Sequence, residues 1–195
     1  AGGNIFLGTT DPMDGDATFR GVILQANTLL QLTAGGLIHV GSDAQLFSTA
    51  DDSLIQLTAT NVIVVGTVQA GARTDGANVS AWTGRNAKVE IETTEAVVVG
   101  GKGLDANFRL VNTGGTIAAT GAVNIETGSD SDGIGLTVSS SSAIYVDASG
   151  SGSLANLNTG QLSVKASGSV QLFGLVEGRD IGADVVIGSD RLVFV

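Results

Sequence analysis

Three ionisable side chains in one short segment are the first candidates for chemistry. Lys88, Glu90 and Glu92 alternate with Val and Ile in the sequence KVEIE, so an extended strand would place all three on one face. Asp105 and Arg109 follow closely. Carboxylates grouped beside a cation are the groups that carbohydrate-cleaving enzymes use as acid and base. Convergence of these five side chains in one groove would indicate a polysaccharide lyase or hydrolase, whereas the simpler interpretation is a solvated strand face.

No other set of residues favours catalysis. His39 is the single histidine, and its alternating segment explains it as a solvent-facing strand residue, so no Ser/His/Asp triad can be argued. The glycine-rich segment around Lys102 has no helix after it that would supply amide groups to a phosphate. The sequence therefore predicts that the protein is not an enzyme, with the carbohydrate-active enzyme kept as an alternative.

Two acidic, glycine-rich segments offer the oxygen ligands that Ca²⁺ prefers. One covers residues 11–16 (DPMDGD), and the other contains Asp130 and Asp132. Neither fits an EF-hand loop or the tandem glycine-rich nonapeptides that bind calcium. Asp and Gly are also the residues that turns require. A calcium site at Asp130 and Asp132 and a plain turn both remain open, and no other cofactor is predicted.

Composition limits the kinds of partner. The net charge is −10 with only nine Lys and Arg, which argues against nucleic acid and against anionic membranes as ligands. No apolar run approaches the roughly 18 residues that a membrane span needs. Cysteine is absent, which favours an exported protein without disulfides. We expect an extracellular or cell-surface location, and an origin as a processed product or a piece of a longer chain.

Short apolar runs recur along the chain and predict its fold. Hydrophobic residues form 43% of the sequence but aromatic residues only 4%, and glycine is abundant at 29 residues. Apolar and polar residues alternate within the runs, which indicates strands with one buried face, and no segment has a usable helical period. The runs align on a terminal Gly or Asp, at positions 41, 66, 100, 121, 147, 174 and 188.

This pattern predicts an all-β protein, a single parallel β-solenoid over residues 1–195. Its coils would contain about 20–27 residues in three short strands. A β-sandwich with Greek-key links is the alternative. One coil is longer because of a loop excursion at about residues 71–85, which carries the only tryptophan, Trp82. Such a loop either covers the side of the coil or contacts a partner or glycan.

The ends of the sequence predict an assembly interface. The chain begins with Ile5, Phe6 and Leu7 in an apolar run, and it finishes with Leu192, Val193, Phe194 and Val195. A solenoid whose terminal coils lack polar caps exposes unpaired backbone and apolar side chains. We expect these residues to join either the flanking coils of a longer exoprotein or further copies of the chain, head to tail.

The pattern Leu-x-Leu-Thr-Ala-x-x-x-Ile-x-Val-x-Gly-x-Val-x-Ala, clearest at residues 54–70, resembles the repeats of filamentous-haemagglutinin-like exoproteins and other giant bacterial surface adhesins. The resemblance covers most of residues 20–195, and the family's amino-terminal secretion domain is not evident. It implies a right-handed parallel β-helix at the cell surface. We therefore expect a structural protein of a fibre or adhesin, with glycans or host or cell-surface components as further partners. A calcium-stabilised adhesin module is another alternative.

Overall fold

The computed structural model describes residues 3–8, 22–71, 84–104, 110–147, 160–179 and 183–195, and all regular structure in these ranges is β-strand. Eighteen of the strands stack in three-strand coils, and one more begins a seventh coil. The alternation of apolar and polar residues explains this choice, since it gives each strand one face that must be covered.

Three parallel sheets run along the length of the solenoid. Sheet A contains β1 (Ile5–Leu7), β4 (Leu37–Val40), β7 (Asn61–Val64), β10 (Val97–Val99), β15 (Ile134–Val138), β18 (Ser169–Leu172) and β21 (Val193–Phe194). Sheet B contains β2 (Ile23–Ala26), β5 (Gln45–Ser48), β8 (Thr67–Ala70), β13 (Thr116–Ala119), β16 (Ala143–Val146) and β19 (Leu175–Gly178). Sheet C contains β3 (Leu29–Thr33), β6 (Leu54–Ala59), β9 (Lys88–Thr93), β14 (Ala122–Thr127), β17 (Gln161–Ala166) and β20 (Asp184–Ser189).

The chain visits sheets A, B and C in turn and then returns to A one layer further on. Every strand pair in these sheets is parallel, as β4 with β7, β5 with β8, and β6 with β9 illustrate. The predicted all-β parallel solenoid with three short strands per coil is therefore confirmed. The β-sandwich alternative is wrong, because a sandwich is built from antiparallel sheets.

Coil length varies with the insertions that the coils carry. Ile38 pairs with Val62, 24 residues later, and Val170 pairs with Val193, 23 residues later, which is within the predicted range. The other four coils along this row contain 33–39 residues and are longer than predicted. Val97 pairs with Leu136, 39 residues later, because this coil contains an antiparallel hairpin of β11 (Gly101–Leu104) and β12 (Leu110–Thr113). The coil from Val62 to Val97 contains the predicted excursion at 71–85, of which residues 72–83 lie outside the described ranges.

The seven runs that the sequence pattern aligned do not all occupy equivalent positions. Four of them are strands of sheet A, two are strands of sheet B, and one is part of β20 in sheet C. The alignment combined strands of different sheets because strands of all three sheets share the same alternation of buried and exposed residues. Alternation identifies the face of a strand that is buried, but it does not identify the sheet to which the strand belongs.

The core is a column of stacked aliphatic side chains. In sheet A, one inward row consists of Ile5, Ile38, Val62, Val97, Leu136, Val170 and Val193. Its members from Ile38 to Val170 are fully buried. Burying one such side chain stabilises the fold by about 1.5–3 kcal/mol, and each coil depends on the next coil to provide that burial.

Glycine permits the close turns at the corner between sheets A and B. The amide of Gly66 donates to the carbonyl of Val40 in the preceding coil (3.0 Å), and that of Gly100 donates to Val64 (2.7 Å). A Cβ at Gly66 would overlap the carbonyl oxygens of Gly41 and Ala44. This contact explains why the runs of sheet A so often end in glycine: the backbone of successive coils meets at this corner with no room for a side chain.

Candidate functional site

A groove of about 400 Å³ lies on the outer face of sheet C. Strands β6, β9, β14 and β17 form its floor, and their alternation turns the polar residues outward while Ile and Val fill the core. Its polar lining consists of Gln56, Glu90, Glu92, Asn124, Glu126, Ser163 and Lys165. The groove thus presents acceptors, donors and one cation along neighbouring strands.

Strand register places these side chains in two rows along the solenoid. In the first, Glu90 lies between Gln56 and Asn124 on the neighbouring strands. In the second, Glu126 lies between Glu92 and Lys165. Neighbours within a row are one strand spacing apart, about 4.8 Å. The register therefore brings together carboxylates from different coils.

Charge in the second row is only partly compensated. The Nζ of Lys165 donates to Oε1 of Glu126 at 2.9 Å, and this hydrogen bond raises the pKa of Lys165. Both side chains are largely exposed, so the ion pair contributes little to stability. Glu92 stands directly opposite Glu126 on the other side, and adjacent like charges are unfavourable. The groove as a whole is therefore suited to ligands that are neutral or positively charged.

The structure brings together only part of the predicted catalytic set. Glu90 and Glu92 both line the groove, but Lys88 is not among its lining residues. Asp105 and Arg109 lie outside the described residues. Sequence reasoning missed Glu126 and Lys165 because they belong to later coils, and the signal that would reveal them is the strand register rather than their spacing.

His39 lies outside this groove, on the outer face of sheet A. Its ring is tilted against Phe6, with the ring centroids 6.3 Å apart, and Ile63 is its neighbour on the other side. Burial lowers the pKa of His39, and its Nδ1 has no hydrogen-bond partner within the described part of the chain. Its two strand partners, Phe6 and Ile63, are both apolar.

The acidic segment that contains Asp130 and Asp132 forms a hydrogen-bonded turn. Oδ1 of Asp130 accepts the backbone amides of Asp132 (2.9 Å) and Ile134 (2.8 Å). The guanidinium of Arg191 lies against Gly133 in the same turn. Within the described ranges, no three His, Cys, Asp or Glu side chains are grouped so that they could hold a metal ion. The calcium site at Asp130 and Asp132 stays a prediction.

The two ends of the solenoid form the second candidate site. Large apolar side chains with high exposure occur among the described residues only in the first and last coils. At the first coil they are Phe6, Ile23 and Leu29, and at the last they are Phe173, Leu175, Val185, Val186, Leu192, Val193, Phe194 and Val195. Of the residues predicted for assembly, Ile5 and Leu7 are half-buried against the core, and the other five are exposed.

Comparisons with known proteins identify no relative. No family model, curated protein or solved structure matches the chain.

Trp82, the predicted partner contact, lies outside the described residues. The residues that are described contain no helix with the length and apolar character needed to cross a membrane.

Proposed function

We propose that the protein is a structural module of an extracellular fibre or adhesive surface, joined at its ends to further coils. Those coils belong either to a longer exoprotein or to copies of this chain. Glycans or other components of a cell surface would be the ligands of its lateral faces. The observation that carries the proposal is the restriction of exposed large apolar side chains to the two terminal coils among the described residues.

The contrast between the ends and the middle supports this function. In the central coils, inward residues such as Val62, Val97 and Ile144 are fully buried because coils cover them on both sides. At the ends, Val185 and Val193 face the interior column but remain 43% and 45% exposed. An uncovered parallel edge with apolar side chains is a template for further strands. A head-to-tail joint of this kind does not close, so it produces filaments.

A substitution at one strand edge tests end-to-end joining. Asp184 donates its amide to Gly160 on the side of β17, so the amide of Val185 points to the open edge of β20. Proline at this position would remove a donor needed by an incoming strand and leave the bonds to β17 intact. The matched control is Val185→Ala, which shortens the same side chain and keeps the amide.

Electron microscopy of the purified protein at several concentrations provides the measurement. We expect filaments that lengthen with concentration, that persist in Val185→Ala and that disappear in Val185→Pro, with the circular dichroism spectrum unchanged. Single rods at every concentration would contradict assembly from copies. Filaments of equal length in both variants would contradict a joint at this edge.

The groove on sheet C favours a second candidate function, the recognition or cleavage of a polysaccharide. Three carboxylates, Glu90, Glu92 and Glu126, meet Lys165 and several amide and hydroxyl groups there. Groups of this kind form hydrogen bonds with sugar hydroxyls, and most enzymes that cleave glycosidic bonds use a pair of Asp or Glu side chains. Incubation with neutral and cationic polysaccharides would test the proposal, with Glu126→Gln compared against Glu177→Gln on sheet B. Binding or cleavage that only Glu126→Gln reduces would support it, and equal effects of both variants would oppose it.

A further inference from the structure

The three sheets do not contain equal numbers of strands. Within the described residues, sheet A has seven strands, whereas sheets B and C have six each. In an extended stack of identical copies, every sheet must gain the same number of strands per copy. Of the described strands, one in sheet A is therefore surplus in such a stack, and the candidates are β1 and β21, the edge strands of that sheet.

These two strands are chemically interchangeable. β1 has the sequence Ile5-Phe6-Leu7, and the corresponding residues at the other end are Val193-Phe194-Val195. Their central phenylalanines occupy the same outward row of sheet A, and Ile5 and Val193 occupy the same inward row. Each strand therefore matches the slot that the other would fill between two copies.

The contacts of the two strands show which one is held more firmly. β1 pairs with β4 over three residues, and Oδ1 of Asn4 accepts the amide of Leu37 at 2.9 Å. β21 pairs with β18 over only two residues, Val193 and Phe194, which are both about half exposed. Position 192, which corresponds to Asn4, is a leucine and has no side-chain acceptor. β21 is therefore the strand that is more easily displaced.

We propose that a second copy of the chain docks on the carboxyl end of the solenoid and that its β1 displaces β21 from the edge of β18. β21 is then a replaceable cap that covers the joint until a copy arrives. This inference rests on the proposed end-to-end assembly and specifies its geometry. Phe6 of the incoming copy would lie beside Gln171, as Phe194 does in the isolated chain.

The other two sheets support this arrangement without any rotation of the copies. With β1 in the place of β21, β2 of the incoming copy falls beside β19, and β3 falls beside β20. Leu175 and Ile23, which are 45% and 60% exposed, would then be neighbours in one outward row of sheet B. Ile187 would be followed by Leu32 in the inward row of sheet C. If β1 instead stacked on β21, sheets B and C would each lack one strand.

Disulfide trapping distinguishes the arrangements, since the chain has no cysteine of its own. The Phe6→Cys and Gln171→Cys variants are mixed under mild oxidation, and the resulting heterodimer is quantified on a non-reducing gel. Two further mixtures serve as matched controls: Phe6→Cys with Phe194→Cys, and His39→Cys with Phe194→Cys. Adjacent strands place paired Cα atoms within disulfide range, whereas two strand spacings, about 9.6 Å, are too far.

The expected result is a heterodimer in the 6–171 mixture alone. A 6–194 heterodimer would show that β1 of the incoming copy pairs with β21 instead of replacing it. A 39–194 heterodimer would show that β21 stays in place and pairs with β4 of the incoming copy, whose β1 has been displaced. Either result overturns the proposal. Filaments without any of the three heterodimers would also overturn it while leaving end-to-end assembly intact. The absence of both filaments and heterodimers would remove the two proposals together.

Deletion of residues 192–195 provides an independent test. If β21 is a cap, its removal lowers the concentration at which filaments form by about tenfold, the change expected when a competitor that pairs over only two residues is lost. Deletion of residues 3–8 removes the strand that docks and leaves β21 to fill the slot, so filaments should require a higher concentration than in the 192–195 deletion. Loss of filaments in the 192–195 deletion, with an unchanged circular dichroism spectrum, would overturn the proposal.

Discussion

Alanine substitutions at two positions of one core column test whether the end of the solenoid is uncovered. Ile125 lies in the inward row of sheet C between Ile91 and Val164, and it is 2% exposed. Ile187 lies in the same row on the last strand of sheet C, and among the described residues Val164 is its only strand partner. The same substitution therefore removes packing on two sides at Ile125 and on one side at Ile187.

The expected magnitudes follow from this difference in packing. Replacing a fully buried isoleucine with alanine costs about 2–5 kcal/mol, because the neighbours do not fill the cavity. Ile125→Ala should fall within that range. Ile187→Ala should cost about half as much, roughly 1–2.5 kcal/mol, since one side already faces solvent.

Equilibrium unfolding in urea, followed by far-ultraviolet circular dichroism, measures both values. Protein concentration must stay below the level at which filaments form, and the slopes of the transitions should agree between the variants. Equal losses of unfolding free energy at the two positions would show that Ile187 is covered as fully as Ile125, and would refute the open end. At concentrations where filaments form, the cost of Ile187→Ala should rise towards that of Ile125→Ala, because an incoming copy would cover the site.

Three further predictions concern the turns and the outer faces. Gly66→Ala should lower the free energy of unfolding by about 2 kcal/mol or more, since its Cβ would overlap two carbonyl oxygens; an unchanged urea midpoint would contradict this contact. Burial lowers the pKa of His39 below its ordinary 6.5, so on acidification the unfolded chain takes up the proton first. Stability should therefore fall as the pH drops from about 7 through 6.5 towards the pKa of His39 in the folded protein. In the His39→Gln variant, the urea midpoint should depend less on pH in this range. An equally steep dependence in that variant would show that another group causes the effect. The guanidinium carbon of Arg179 lies 3.8 Å from the ring centroid of Tyr145. A double-mutant cycle with Arg179→Met and Tyr145→Leu should therefore give a coupling free energy of about 0.5–1 kcal/mol. A coupling of zero would show that this contact does not stabilise the fold.

The fold was largely predictable from the sequence because strand alternation is a local property. The segments that contain Val89, Ile91, Leu162 and Val164 alternate with polar residues, and all four side chains are buried in the structure. The recurrence of such runs, together with abundant glycine and few aromatic residues, was enough to indicate stacked coils. The spacing of the runs was less informative, because insertions such as the hairpin β11–β12 lengthen single coils without changing the alternation.

The candidate sites were predictable only in part. Glu90 and Glu92 could be found because they share one strand, and the apolar ends could be found because they are continuous in sequence. The neighbours of these carboxylates, Glu126 and Lys165, could not be found, since 34 or more residues separate them from Glu92 along the chain.

The sequence by itself therefore determined that strands form, which of their faces are buried, and that the end segments are apolar. Only the tertiary structure decided which strands are neighbours. It placed Glu92, Glu126 and Lys165 in one row, and among the described residues it gave sheet A one strand more than sheets B and C. The physical reason is that burial alternates with a period of two residues in every strand, whereas the pairing of strands depends on the length of each turn and insertion between them.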